Sequence, residues 1–347
     1  MDYRKILVIR FHLIGDVLLV TPVLQILRRR FPNGRLVLLT DNPAGELVKG
    51  HPAVDEVVIY NEQFGPQKFT LAALFRHFQI LRMIRREKFD LVVNLQPGSR
   101  SEIATELSGA RTRVGYERKK MRRSCYTTAL HHEWRGEYCV EEMLKPLRAV
   151  GIEAEVELPT IGLSDSDREA VRSYLDEDSR PLVVLHPGRD DTNKVWLDER
   201  FSELARALIE RYGVRVAFVG TGSESEKVER IVDGVGHPCA SFAGKLNLRE
   251  VGALAAGAKL FIGIDSSPMH IASAVGTPTI ALFGPSDPKV WNPPGEDHIV
   301  VFKDPAEPRE CGEPHCPAGE CLRMRNIHVE DILPAVEKLL SCSCKAV

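Results

Sequence analysis

Short apolar runs alternate with amphipathic stretches along the chain of 347 residues. The apolar runs have strand length and are rich in β-branched residues, whereas apolar positions between them recur with the period of a helix. The predicted strands are Lys5–Arg10, Arg35–Thr40, Glu56–Tyr60, Leu91–Leu95, Leu182–His186, Val214–Gly220, Leu260–Ile264 and Thr279–Gly284. The predicted helices include Val17–Arg30, Leu71–Arg86, Leu197–Tyr212 and Leu248–Ala256. This alternation predicts the α/β class with two parallel, doubly wound sheets.

The apolar pattern lapses over residues 157–181, which are mostly polar. We therefore expect a first domain over residues 1–165 and a second over residues 166–325. Residues 326–347, with the predicted helix Val329–Leu340, form a C-terminal helix and tail. Open α/β sheets bind ligands at the carboxyl ends of their strands, so a cleft is expected where the strand ends of the two sheets face each other.

The small net charge of −2 conceals two halves of opposite sign. Residues 1–150 hold 25 Lys and Arg against 16 Asp and Glu, a net charge of +9, and the remainder carries −11. This asymmetry favours an anionic partner for the first domain. Solvated helix faces are the alternative explanation for the basic clusters, which are Arg28–Arg30, Arg82–Lys88 and Arg118–Arg123. Nucleic acid is not favoured as the partner, since no recognition motif accompanies the charge.

The first twenty residues combine early positive charge with an apolar run, as a signal peptide does. However, Arg10, His12 and Asp16 interrupt that run, and no small-residue cleavage site follows it. No segment reaches the roughly 18 apolar residues of a spanning helix. We therefore expect a cytoplasmic protein.

Five of the eight cysteines lie near the end of the chain: Cys311, Cys316, Cys321, Cys342 and Cys344. In a reducing compartment thiols are expected rather than disulfides. The first three have four residues between neighbours, instead of the two of a zinc knuckle. Packed or exposed thiols are therefore predicted, and a structural metal is the alternative.

The first candidate for chemistry is Asp16, which follows the first predicted strand and Gly15 at the start of a helix. One interpretation is an N-cap, since Asp is a good capping residue and suits the positive end of a helix. The other is a general base at the edge of the cleft. The local sequence leaves both open.

The second candidate is the turn Asp265-Ser266-Ser267 after a strand, with Pro268 suited to the first helical turn and His270 beyond it. The N–H groups and dipole of a helix N-terminus bind anions. A simple cap with a packed histidine is the alternative. A second small-residue turn over residues 283–286, after the next strand, favours a diphosphate site.

Two further loops carry polar residues at strand ends. Lys194, in the loop before Trp196, can place a mobile charge on a phosphate or lie at the surface. The sequence Gly220-Thr221-Gly222 begins a dinucleotide fingerprint, but Ser225 stands where its last glycine belongs. A nicotinamide cofactor is therefore not expected, and Glu226 is a candidate for binding ribose hydroxyls instead.

No metal site is expected at the two Asp-x-Asp patterns, over residues 165–167 and 176–178. Both lie in the polar stretch between the domains, where helix caps and turns account for them. No phosphate-binding P-loop, zinc-protease helix or nucleophile elbow is present either.

Taken in order, these segments resemble glycosyltransferase family 9. The matching stretches are RFHLIGDVLLVTPVLQILRRRFP, VVNLQPGSRS followed by RVGY, HPG and NKVW, GTGSESE, and FIGIDSSPMHIASAVGTPTIALFGPSDP. They span nearly the whole chain, and their order is more specific than any single one. The resemblance implies the GT-B fold, with two Rossmann-like domains facing a central cleft and a last helix that returns to the first domain.

The resemblance also implies an inverting, metal-independent transfer in which Asp16 is the base for the acceptor hydroxyl. Lys194 would hold the diphosphate with Ser266, Ser267 and His270 around it. The remaining implied donor contacts are Asp265 on the sugar or phosphate side, Glu226 at the ribose, Leu246 near adenine, and Arg189 and Asp190 in a donor-contacting turn.

The best-studied members transfer heptose from ADP-heptose to the inner core of lipopolysaccharide. The resemblance therefore implies ADP-heptose as donor, an anionic Kdo-bearing lipid A as acceptor, and peripheral contact with the inner membrane, with no cofactor. Another nucleotide-sugar transferase or a nucleotide-sugar epimerase of the GT-B fold is the enzymatic alternative. A two-lobed ligand-binding protein is the alternative without catalysis.

Overall fold

The computed structural model describes residues 2–11, 13–60, 71–117, 125–131, 136–176, 178–304, 316–317 and 319–341, and of residues 71–74 the backbone alone. The chain divides into two compact units, Met1–Gly162 and Leu163–Val347. The boundary lies close to the predicted one at residue 165. No helix among the described residues is long and apolar enough to cross a membrane.

The first unit contains a parallel sheet in the order β3-β2-β1-β4-β5-β6. Its elements are β1 (Lys5–Ile9), α1 (Ile14–Leu18), α2 (Thr21–Arg30), β2 (Arg35–Thr40), α3 (Ala44–Val48), β3 (Glu56–Ile59), α4 (Leu71–Glu87), β4 (Leu91–Asn94), α5 (Ser99–Leu107), β5 (Thr112–Glu117), β6 (Thr128–His131) and α6 (Cys139–Ala149). The order reverses between β1 and β4, where Ile6 lies opposite Leu91. Such a reversal is the ligand-binding point of a doubly wound sheet.

The second unit repeats this plan in the order β12-β11-β10-β7-β8-β9, again parallel. Its elements are α7 (Asp165–Asp176), β7 (Leu182–His186), α8 (Asp198–Tyr212), β8 (Arg215–Phe218), a 3₁₀ turn (Gly222–Glu224), α9 (Ser225–Val235), β9 (Ala240–Ser241), α10 (Leu248–Ala256), β10 (Leu260–Ile264), α11 (Ser267–Ala274), β11 (Thr279–Phe283), α12 (Pro288–Trp291), β12 (His298–Phe302), α13 (Leu322–Arg325) and α14 (Val329–Ser341). The reversal falls between β7 and β10, where Gly263 lies opposite His186.

The central strands are the most apolar parts of both units. β4, β7, β10 and β11 are buried along their whole length. In a parallel sheet both faces of a strand are covered by other elements, so the strand needs a continuous run of apolar residues. This burial accounts for the strand pattern of the sequence.

Two helices differ from the prediction. The predicted helix Val17–Arg30 is two helices, α1 and α2, and Pro22 lies in the first turn of the second. The final helix α14 belongs to the second unit, where Ile332, Val336 and Leu339 join its core. The sequence analysis had instead predicted that this helix returns to the first domain.

Candidate active site

In the second unit, polar side chains meet at the carboxyl ends of β7, β10 and β11; we call them the Lys194 cluster. Lys194 Nζ lies 2.5 Å from Asp265 Oδ2 and 3.3 Å from the Asp265 carbonyl oxygen. Ser286 Oγ donates a hydrogen bond to the same carboxylate oxygen, which is buried. Lys194 and Asp265, predicted from separate loops, therefore form an ion pair.

Helix α11 begins beside this pair. Ser266 is its N-cap residue, and Pro268 lies in its first turn as predicted. Ser266 Oγ lies 3.1 Å from His186 Nδ1 and makes no capping hydrogen bond in the described structure. Ser267 is partly exposed in the first turn, and His270 is buried in the next. The first N–H groups of α11, with the positive end of its dipole, thus lie beside the Lys194 cation.

His186 links this cluster to a buried carboxylate that sequence reasoning missed. Its Nε2 lies 3.8 Å from Glu224 Oε2, and both side chains are buried. Glu224 Oε2 also accepts hydrogen bonds from Thr221 N at 2.5 Å and Thr221 Oγ1 at 2.9 Å. Burial alone would raise the pKa of Glu224, but His186 and Thr221 outweigh it and lower the pKa to about 2. Glu224 is therefore ionised, and its hydrogen bonds to Thr221 fix the conformation of the loop.

The predicted ribose and adenine residues lie on two loops that touch each other. Glu226 is exposed in the first turn of α9, and Leu246 is partly exposed after β9. A Cβ at Gly244 would lie 2.9 Å from the Cα of Gly222, so the loops pack backbone to backbone. The loop that carries Leu246 is thus in contact with the turn that precedes Glu226.

Arg189 and Asp190 have other partners. Arg189 Nε donates to Asp191 Oδ1 at 2.8 Å, within its own loop. Asp190 pairs with Lys227 at 2.9 Å and with Arg230 at 3.0 Å, both on α9. None of the described hydrogen bonds or ion pairs joins Arg189 or Asp190 to the Lys194 cluster.

The glycine of the same loop has a clear structural role. Gly188 adopts φ +71°, and a Cβ there would lie 2.1 Å from Ile264 Cδ1. Only glycine satisfies both the left-handed backbone and the close approach to β10. Gly188 thus fixes the start of the loop that carries Lys194.

In the first unit, Asp16 is held at the carboxyl end of β1. It is the third residue of α1, whose N-cap position is Leu13, and no side chain caps α1 in the described structure. The interpretation of Asp16 as an N-cap was therefore wrong. Asp16 Oδ1 lies 3.1 Å from Arg10 Nη2, while Arg10 Nη1 donates to the Leu95 carbonyl at 2.6 Å. Arg10 thus fixes the carboxylate between β1 and β4.

A buried thiol lies near this carboxylate. Burial and the charge of Asp16 raise the pKa of Cys139 to about 12. The thiol is therefore neutral at physiological pH and adds no negative charge beside Asp16. Asp16 itself is partly exposed and is held by Arg10.

Sequence reasoning missed a second arginine at the same edge of this sheet. Arg100 Nη2 donates to Asp41 Oδ2 at 2.7 Å, and its guanidinium lies 3.9 Å from the centre of the Phe11 ring. The Tyr60 ring centre is 5.0 Å away. These partners follow three adjacent strands, so the order of strands in the sheet brings them together.

Cys321 is buried in the core of the second unit, where its Sγ lies near Gly284. It is thus a packed thiol, as predicted. Cys311 lies outside the described residues. Among the residues that the structure describes, no group of three His, Cys, Asp or Glu side chains is arranged to hold a metal ion.

A model of glycosyltransferase family 9 (heptosyltransferase) matches residues 77–321. The chain is 28% identical over 341 residues to the lipopolysaccharide heptosyltransferase 3 of Escherichia coli, covering 96% of this chain and 98% of that one. The glycosyl transferase family 9 structure from Veillonella parvula superposes with a TM-score of 0.83 at 23% identity, covering 98% and 97%. E. coli ADP-heptose lps heptosyltransferase II gives 0.79 at 21%, covering 97% and 98%. These structures confirm the predicted GT-B fold class.

Proposed function

Because the chain belongs to glycosyltransferase family 9, we propose that it transfers a heptose from ADP-heptose to the inner core of lipopolysaccharide. The observation that carries the proposal is the Lys194 cluster, which places a cation and the start of α11 at one sheet edge. This is the chemistry that a nucleotide diphosphate needs. The names of the relatives, lipopolysaccharide heptosyltransferases, support the choice of sugar and acceptor.

The second unit would bind the donor. Lys194 and the first N–H groups of α11, beginning at Ser267, would hold the diphosphate, with Ser266 and His270 beside it. Asp265 would face the sugar or phosphate side. The neighbouring surface would bind the nucleoside, with Glu226 at the ribose hydroxyls and Leu246 near adenine. Arg189 and Asp190 would contribute through the loop that they stabilise.

The first unit would supply the base. The acceptor hydroxyl oxygen attacks the anomeric carbon, the bond from that carbon to the diphosphate oxygen breaks, and the hydroxyl proton passes to Asp16. A single displacement inverts the anomeric configuration. Lys194 and α11 stabilise the charge that forms on the leaving ADP, as preorganised donors do for a developing anion. The reaction so written needs no metal ion and no cofactor.

The acceptor would be an anionic glycolipid, a lipid A that carries Kdo. The net charge of +9 on residues 1–150 supports an acceptor rich in phosphate and carboxylate. Such a lipid resides in a membrane, so the enzyme would act as a peripheral protein at the cytoplasmic face of the inner membrane.

The direct test is transfer itself. Purified protein is incubated with ADP-heptose and Kdo-bearing lipid A in the presence of EDTA, and the product is analysed by mass spectrometry. We expect one added heptose, dependent on the acceptor and unaffected by EDTA. Nucleotide release that needs no acceptor would favour an epimerase, and activity restored only by added Mg²⁺ or Mn²⁺ would contradict the metal-free mechanism.

Nucleotide preference is a second, simpler test. ADP, UDP, GDP and CMP are compared by thermal shift, because a ligand that binds only the native state raises Tm by mass action. We expect the largest increase with ADP. A larger increase with UDP or GDP would assign the protein to another donor class.

A further inference from the structure

Helix α4 turns large apolar side chains toward solvent. Phe75 and Phe78 are 62% and 60% exposed, the highest values for large apolar side chains among the described residues. The opposite side of the helix is anchored in the core of the first unit through Ile80 and Ile84. The exposure of the two phenylalanines is therefore a feature of a packed, amphipathic helix.

The exposed residues form one face, which we call the Phe75 face. At 100° per residue they fall within about one third of the helix circumference. Its members are Phe75, Phe78, Gln79, Arg82, Arg85 and Arg86, all exposed. The aromatic residues occupy its first part and the arginines its second. At 1.5 Å per residue the face is about 16 Å long.

The charge on this face has one sign. No ion pair of Arg82, Arg85 or Arg86 occurs within the described part of the chain. The one acidic residue of α4, Glu87, is turned away and pairs with Lys5 at 3.1 Å and Arg35 at 2.7 Å. The face therefore presents aromatic rings and three cations that pair with no carboxylate among the described residues.

We propose that the Phe75 face docks on the surface of an anionic phospholipid bilayer. Aromatic rings are favoured at the level of the headgroups, and arginines beside them pair with lipid phosphates. Each cation near an anionic surface adds to binding, and the three on this face act together. The inference deepens the proposed function by naming the surface that would bring the enzyme to its glycolipid acceptor.

The composition of the Phe75 face also favours a bilayer over a protein partner. A protein partner for three arginines would need matching carboxylates, and a second copy of α4 would bring cations against cations. Anionic lipid headgroups move laterally and match the three cations without a fixed pattern. The mixture of exposed Phe and Arg on one helix thus favours a lipid surface.

The test is flotation with vesicles, which requires neither donor nor transfer. The full chain is mixed with vesicles of phosphatidylglycerol and phosphatidylethanolamine, and separately with vesicles of phosphatidylcholine alone. We expect binding to the anionic vesicles that weakens with salt. The change Phe75→Ser with Phe78→Ser should reduce the partition coefficient by about 10-fold or more. Neutralising Arg82, Arg85 and Arg86 with Gln should reduce it by about 100-fold, near five-fold for each charge.

Matched controls remove similar groups elsewhere. Val156→Ser with Leu158→Ser deletes another exposed apolar pair of the first unit, and Arg168→Gln with Arg172→Gln deletes exposed charges of the second. Both controls should bind vesicles like the wild type. Every variant is first checked for wild-type Tm and for ADP binding.

Three outcomes would overturn the proposal: no binding of the wild type to anionic vesicles, equal binding by the Phe75-face variants, or a dimer in sedimentation that Phe75→Ser with Phe78→Ser dissociates. Vesicle binding without heptose transfer would contradict the proposed function alone. Transfer without vesicle binding would contradict only the docking surface.

Discussion

In the variant Asp16→Asn the side chain keeps its shape but loses the oxygen that would accept the proton of the acceptor hydroxyl. Without its general base, the proposed transfer should slow by about 10²–10⁴-fold in kcat. The residues proposed to bind the donor lie in the second unit, so the Kd for ADP should stay near the wild-type value. The assay is single-turnover transfer together with ADP titration on the same preparation.

The cost of this change in stability follows from the contact with Arg10. Asp16 Oδ1 lies 3.1 Å from Arg10 Nη2, and both side chains are 16% exposed. The amide oxygen of Asn can still accept this hydrogen bond, so the variant loses the charge of the acceptor rather than the contact. A hydrogen bond between two charged groups contributes about 1 kcal/mol more to stability than one with a neutral partner. We therefore expect Tm to fall by about 2–4 °C, with the fold retained.

The change Asp55→Asn is the matched control. Asp55 accepts hydrogen bonds from Leu36 N at 2.6 Å and Arg28 Nη2 at 2.5 Å, at the amino end of the same sheet. It should lose stability to a similar degree and keep kcat. A near-normal kcat in Asp16→Asn, or an equal loss in both variants, would refute the assignment of Asp16 as the base.

Two further predictions concern the second unit. Lys194→Ala removes one charge-assisted contact and should raise the Kd of ADP, measured by calorimetry, by about 10–100-fold. The control Lys289→Ala on α12 should leave this Kd unchanged. An unchanged Kd in Lys194→Ala would show that Lys194 does not bind the diphosphate. The pKa of Glu224 is lowered to about 2 from 4.5, so its stabilisation is present above the unfolded pKa and is lost as pH falls through this range. Between pH 5 and pH 2, the free energy of unfolding measured with urea should therefore fall less in Glu224→Gln than in the wild type, by about 3 kcal/mol at most. A wild-type pH profile in the variant would contradict this.

The central strands were the easiest part of the fold to predict. β7 and β10 have the predicted bounds, and both are buried throughout. β5, β6, β9 and β12 were not predicted; the last three are sheet edges, whereas β5 lies between β4 and β6. An edge strand pairs on one side only and buries less, so β6 is partly exposed along its length and β9 has two residues. Such strands leave no continuous apolar run in the sequence.

Helix boundaries and packing partners were harder to predict. The break between α1 and α2 had a signal in Pro22, which lacks an N–H and belongs in a first helical turn. The apolar period runs through the break, which is why one helix was predicted. For α14 the amphipathic pattern predicts a helix but does not identify the unit on which it packs.

Residues of the candidate site that lie on single loops could be proposed from the sequence. Lys194 and Asp265 were identified because each follows a strand of a parallel sheet, and carboxyl ends of such strands share an edge. The Arg100–Asp41 pair was missed because it depends on β2 and β4 both lying next to β1. The charge of Glu224 was missed because it depends on burial beside His186.

The Lys194–Asp265 pair bears on how the proposed donor would be recognised. With Lys194 Nζ 2.5 Å from Asp265 Oδ2, the pair has no net charge before a donor binds. A diphosphate that draws the ammonium away would leave Asp265 buried with fewer partners, which is unfavourable unless another donor replaces Lys194. In the proposed donor complex the hydroxyl groups of the heptose would make that replacement, whereas ADP carries no sugar beyond its diphosphate. The same ion pair would therefore weaken the binding of product relative to substrate, which favours the release of ADP after transfer.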